Sequence, residues 1–148
     1  MISPQQLESI LHVEIPITQA MQIKVLDCSE IEVLLSAPLE PNINHKQTAF
    51  GGSLYSVAVL SGWSMVYVLL SRLGINAQIV IHQSEISYLA PVATAIEAHC
   101  ELSSDTDIEK FNKLMLRKGR ARLKLKSRIV SEGKDAVVFD GVYVCIAH

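Results

Sequence analysis

At Gly51-Gly52-Ser53 the chain presents residue types suited to holding a carbonyl oxygen or an anion with the backbone instead of a side chain. Two glycines let the main chain pass close to a ligand, and serine is a preferred helix cap. The run that follows begins a helix, whose first N–H groups lack intrahelical partners and carry a partial positive charge. Donors so arranged polarise a carbonyl and stabilise an oxyanion. Just before them lie Asn42, Asn44 and His45. Imidazoles titrate around neutrality, so His45 is a candidate general base; it reads equally as a loop histidine bonded to a backbone carbonyl. Ser61, inside the helix, has no visible activating base and reads as a small packing residue. His12, His99 and His148 are scattered, and no metal site is expected.

The segment that must carry this site sets a constraint of its own. From Asn42 to Arg72 there is no acidic residue, and from Gln47 to Ser71 no formal charge. A helix apolar all round is either buried or membrane-spanning. Ser53, Ser56, Ser61, Gly62 and Ser64 interrupt this one, and moving it into lipid would strip the cover from everything else, so burial is expected.

What surrounds it reads mainly as strands. Ser3-Pro4-Gln5-Gln6 is a capping box with proline at the first helical position, which predicts a short helix from Pro4 to about His12. Met21, Ile23 and Val25 alternate with Gln22 and Lys24, and Ile31, Val33 and Leu35 repeat the pattern. In "AQIVIHQSEISYLA" the apolar phase slips between Ile81 and Ile86, predicting a bulge near His82 to Glu85. Ile96, Ala98, Cys100 and Leu102 alternate with Glu97, His99 and Glu101. Ala121, Leu123, Leu125, Ser127 and Ile129 face inward against an outward row of Arg120, Arg122, Lys124, Lys126 and Arg128. "AVVFDGVYVCIA" is apolar on both faces and predicts a central strand. Ser131 to Asp135 is a tight polar turn, so the last two strands form a hairpin. Between Ser103 and Lys118, Ile108, Phe111, Leu114 and Met115 have the spacing of a short amphipathic helix.

About six strands with one apolar face each need an apolar cover, and the uncharged helix is the one sizeable element that supplies it. The expected fold is α+β: an antiparallel sheet of about six strands wrapped around one long central helix, the hotdog architecture, as a single domain over 1–148. A chain of 148 residues closes such a core without staples. Its 13 basic and 15 acidic residues leave a net charge of -2, which offers no global attraction for nucleic acid or an anionic membrane, and neither partner is expected. Cys28, Cys100 and Cys145 have no CxxC spacing and read as buried thiols in a reducing cytoplasm. "MISPQQLESILHVEIP" lacks the basic and long apolar regions of a secretory signal.

In element order the whole chain resembles the hotdog-fold thioesterases. Within them it is most similar to the thioesterase domain that occurs alone or fused behind an N-acetyltransferase domain, with "PNINHKQTAFGGSLY" as the most specific match. "LRKGRA" does not fit the acetyl-CoA phosphate loop of the fusion partner, so the stand-alone form is expected. The resemblance implies hydrolysis of an acyl-CoA or acyl-carrier thioester, with a non-catalytic acyl-CoA binding module or a dehydratase as alternatives. In many family members an Asn is followed by five residues, then His-Gly-Gly, then a helix carboxylate. On this chain the pattern implies Gly51 and Gly52 as oxyanion donors and Asn44 as positioner of the water or thioester. Two positions depart from it: Phe50 stands for the histidine, and Val59 falls where the carboxylate would be. The helix contains no acid to compensate, which directs attention to His45 and, across a dimer, to His82 and Glu85 on the following strand.

The same resemblance implies a homo-oligomer, a dimer or dimer of dimers, joined through a sheet edge, and no cofactor beyond the coenzyme A moiety of the substrate. Asn42, Phe50, Ser53 and His82 are expected at the substrate, and Arg117, Lys118 and Arg120 are expected at its phosphates, which guanidinium groups hold bidentately. Further along the basic row, pairing with Glu97 and Glu101 on the preceding strand is expected instead.

Overall fold

The uncharged run forms one helix, Gly51–Leu73, in the computed structural model of the chain, which describes residues 1–102 and 104–148. Before it come helices α1, Pro4–Glu14, and α2, Ile17–Ala20, then strands β1, Lys24–Cys28, and β2, Glu32–Ala37. The long helix is α3. After it come β3, Ala77–Tyr88, β4, Ile96–Glu101, helix α4, Asp105–Lys118, and the strands β5, Arg120–Ser131, and β6, Lys134–Ala147. The strands make a single antiparallel sheet in the order β1-β2-β4-β5-β6-β3, curled around α3. This is the α+β hotdog architecture.

Local chemistry accounts for the boundaries. Ser3 and Gln6 bond each other's backbone amides in the expected capping box. Gly74, left-handed at φ 67, ends α3, and Gly119 does the same for α4. Glu132 and Gly133, both at positive φ, form the two-residue loop between Ser131 and Lys134; this conformation matches the twist of the strands it joins. The bulge predicted near His82 falls between Ile81 and Gln83. Two details differ from the sequence reading. The turn of helix at Ile17–Ala20 precedes β1 and is held by the Thr18 hydroxyl, which donates to the Leu11 and Ile15 carbonyls. Ile31 lies before β2 in a turn and is 62% exposed. Ser103, the expected start of the connection into α4, lies outside the described residues.

The core forms where α3 meets the inner face of the sheet. Val57, Ala58, Met65, Val66 and Val68 are fully buried, facing Val33, Leu35, Ile96, Ala98, Ile129 and Phe139. At 23 residues α3 is long and apolar enough to cross a membrane, yet 67% of its most apolar window is buried inside the protein. One crossing is especially close. The Tyr143 hydroxyl of β6 donates to the Val59 carbonyl at 2.7 Å, and its ring lies where a side chain at Gly62 would have to go. Both groups are buried. Gly62→Ala is therefore expected to cost about 1–3 kcal/mol, the usual penalty of overpacking; an unchanged denaturation midpoint would show that the helix can shift away from β6.

Candidate active site at the start of the central helix

The approach to α3 is a loop tied to itself. Asn44 accepts the Lys46 and Thr48 amides on Oδ1, at 2.8 and 3.1 Å, and donates from Nδ2 to Thr48 Oγ1 and the Ala49 carbonyl. Its side-chain hydrogen bonds are all made within the loop and fix the shape of that loop. Asn42 is 2% exposed and donates to the Met21 and Pro38 carbonyls, while its Oδ1 is buried without a partner. Its own carbonyl accepts the Phe50 amide at 2.8 Å, and Val92 O accepts the Ala49 amide at 2.7 Å. Tyr88, at the end of β3, donates to Gly51 O at 3.0 Å. The first turn of α3 is thus fastened from the loop, from the segment after β3 and from β3 itself.

That fastening leaves the donors of the turn unspent. The N-cap is Phe50, whose side chain makes no capping bond, so Ser53 is not the cap expected from its residue type but the third helical residue. Leu54 makes the first amide bond back to Phe50 O. The amides of Gly51, Gly52 and Ser53 have no acceptor among the described residues, and all three residues are half-exposed. Three free N–H groups at a helix start form a ready-made site for a developing oxyanion. Phe50 and Tyr88, 57% and 52% exposed, rim the opening, and the Phe50 ring occupies the space above Gly52 that a side chain there would need.

Running from this turn, Gly51, Tyr55, Val59, Trp63 and Tyr67 form a stripe at helical spacing that stays half-exposed while the neighbouring faces are buried. Tyr55 Oη lies 2.7 Å from Ser84 Oγ on the inner face of β3. Trp63 donates to Ile79 O and stacks on Tyr67, centroids 5.5 Å apart. Farther along, Val59, Trp63, Tyr67, Ile79 and Ile81 line a groove of about 1000 Å³. The position where the resemblance places a carboxylate therefore opens into a groove that Glu14, Asn76, Gln78 and His148 line as well.

The other expected residues are dispersed. His45 is exposed and bonds nothing among the described residues. His82 is the extra residue of the β3 bulge, also exposed. Glu85 pairs in register with Asp140 on the outer face of the sheet, away from α3. Arg120 stands opposite Ile146, and Ile146 opposite Gln78, whereas Tyr88 at the Gly51 end pairs with Val137. Ten strand residues separate the two ends, about 33 Å, so within one chain Arg117, Lys118 and Arg120 do not meet the helix start. The cysteines offer no alternative nucleophile. Burial pushes the Cys100 and Cys145 thiols up to about 12 and that of Cys28 upward, which keeps them protonated near neutrality.

Tyr55, Ser84, Tyr88 and Trp63 were absent from the sequence expectations. The signal lay in the four-residue spacing of Tyr55, Val59, Trp63 and Tyr67, amphipathic aromatics on one stripe of an otherwise uniform helix.

A six-stranded antiparallel sheet curled round one glycine-initiated helix defines a hotdog-fold protein. The model of one such family, "Putative thioesterase (yiiD_Cterm)", matches residues 4–147, and the chain belongs to that family. It is similar to a protein of unknown function from Chlorobaculum tepidum, with 34% identity over 99% of this chain and 98% of the other, TM-score 0.91. It is also similar to a "putative thioesterase" from Shewanella oneidensis, with 35% identity over 97% and 96% of the two chains, TM-score 0.87. A third structure, from Pseudomonas aeruginosa, shares the fold at 16% identity over 99% and 97%, TM-score 0.81.

Removing the Asn42 side chain would leave the Met21 and Pro38 carbonyls without their donor in a buried setting. Asn42→Ala is expected to lower stability by about 1–3 kcal/mol; full stability in urea unfolding would mean that the loop is held without it.

Proposed function

We propose that this protein hydrolyses the thioester of an acyl-CoA or acyl-carrier substrate at the start of α3. The observation that carries the reading is the set of three unpaired amides, Gly51 to Ser53, at an open, apolar-rimmed helix start. Water adds to the carbonyl carbon, the carbonyl oxygen becomes an oxyanion held by these amides, and collapse of the intermediate expels the thiolate. The acyl tail runs beside α3 into the groove of Val59, Trp63 and Tyr67. Tyr55 and Ser84 share one hydroxyl hydrogen between them, which leaves the other free to orient the attacking water. The proton acceptor is His45 or a residue of a second copy.

A second copy has a natural place. The outer edge of β3 is unpaired along 12 residues, a template for another strand. Antiparallel pairing of β3 with its counterpart would bring the second copy's Arg117, Lys118 and Arg120 toward this chain's helix start, where they can take the phosphates of coenzyme A. A dimer of this kind in the cytoplasm, with no cofactor of its own, is the form we assign to the working protein. The second reading, a module that binds acyl thioesters without cleaving them, is favoured by one observation: Val59 leaves the stripe without a carboxylate.

Gly51 allows a clean test. It is the first helical residue, Phe50 before it is extended at φ -61, ψ 135, and a Cβ there meets only ordinary contacts. Proline fits such a position and deletes one of the three amides. Turnover of an acyl-CoA series and of acyl carrier protein should fall about 10²–10³-fold in Gly51→Pro, with folding intact. Equal rates in wild type and variant would remove the helix start from the mechanism. Tight binding of a non-hydrolysable analogue with no turnover in the wild type would establish the binding module instead.

A further inference from the structure

The free amides at the start of α3 are backed from behind by hydroxyls. A peptide unit joins the carbonyl of one residue to the N–H of the next, and its resonance couples the two ends. A donor placed on the oxygen therefore draws electron density from the nitrogen and makes the N–H a stronger donor in its turn. The Gly51 carbonyl shares a peptide with the Gly52 amide, and it accepts the Tyr88 hydroxyl at 3.0 Å. The Gly52 carbonyl shares one with the Ser53 amide, and it accepts the Ser56 hydroxyl at 2.8 Å. Both bonds are additional to the helical ladder, in which a carbonyl takes the amide four residues on. The Phe50 carbonyl, which belongs with the Gly51 amide, receives the Leu54 amide and no hydroxyl among the described residues. A serine bonded four residues back is common in helices. Tyr88 is not of that kind: it stands 37 positions away at the end of β3, its backbone paired with Val137, and at 52% exposure its hydroxyl has water within reach as an alternative.

We propose that Tyr88 and Ser56 are positioning residues that act through the backbone. Their hydroxyls polarise the Gly51–Gly52 and Gly52–Ser53 peptides, so that two of the three free amides hold a developing oxyanion more strongly than unassisted helix amides do. The inference rests on the reading of this turn as the site of thioester chemistry. Cooperative strengthening runs at about 10–30% per bond, and loss of a whole oxyanion donor lowers kcat about 10²–10³-fold. Removal of one hydroxyl should therefore slow turnover roughly 2–8-fold with KM unchanged, the mark of an interaction made in the transition state.

Nuclear magnetic resonance of the free protein tests the polarisation itself. Tyr88→Phe keeps the ring, and Ser56→Ala suits a helix interior, so both variants should fold. The expected pattern is crossed: the Gly52 amide resonance moves upfield in Tyr88→Phe, that of Ser53 in Ser56→Ala, and that of Gly51 in neither. Turnover falls as stated, and Tyr88→3-fluorotyrosine, whose phenol is the stronger donor, raises kcat at a pH where it keeps its proton. A hydroxyl that merely tethered the turn would not respond to the fluorine. Unmoved resonances overturn the proposal whatever the activity. Moved resonances with wild-type rates in both variants also overturn it, while leaving the helix start as the site. If the wild type turns nothing over, the hydrolytic reading fails separately, and the carbonyl stretch of a bound ketone analogue of acyl-CoA decides. A lower frequency in the wild type than in Tyr88→Phe sustains the proposal; equal frequencies, or no binding, overturn it.

Discussion

Everything in this molecule depends on hiding an uncharged 23-residue helix while keeping its first turn open. The sheet accomplishes the first part: nearly every strand contributes inner-face residues to α3, and Tyr143 clamps the middle of the helix through the Val59 carbonyl. The second part falls to the loop from Asn42 to Phe50. Had that loop supplied a side-chain cap, the amides of Gly51 to Ser53 would be satisfied internally. An extended phenylalanine at the N-cap instead leaves three donors aimed outward.

The polar groups near the site divide their labour accordingly. Asn42 and Asn44 spend their amides on the loop, and Tyr88 fixes the carbonyl of Gly51. Oxyanion stabilisation then requires no charged side chain, because the backbone supplies the donors and the surrounding fold holds them still. The cost is at Val59. With no carboxylate on the stripe, the proposed hydrolysis assigns the orientation of water to hydroxyls such as Tyr55 and Ser84, and the proton to a loop or partner group.

Much of this was legible in the sequence because patterning and turn chemistry act locally. The alternation from Ala121 to Ile129, the slip at His82, the capping box at Ser3 and the turn at Glu132-Gly133 each follow from neighbouring residues, and each appears as read. The charge-free helix specified its own burial. What was not legible depends on contacts between distant segments. Residue type alone made Ser53 a cap, but the Phe50 amide bond to Asn42 O starts the helix earlier. Asn44 turns its side chain to its own loop, a set of bonds that residue type alone does not specify. Tyr55 and Ser84 meet only because α3 lies along β3, 29 positions apart in the chain. Glu85 lies on the outer face of the sheet, and which face it took was decided by the bulge three residues earlier.

In the proposed hydrolysis the amides opening α3 receive the acyl carbonyl. A crystal structure with an acyl-CoA analogue that keeps the carbonyl but replaces the thioester sulfur by methylene tests it most directly. The carbonyl oxygen is expected about 2.7–3.1 Å from one or more of the Gly51, Gly52 and Ser53 nitrogens, with the tail along Trp63. A carbonyl bound elsewhere, with those three amides still facing solvent, would contradict it.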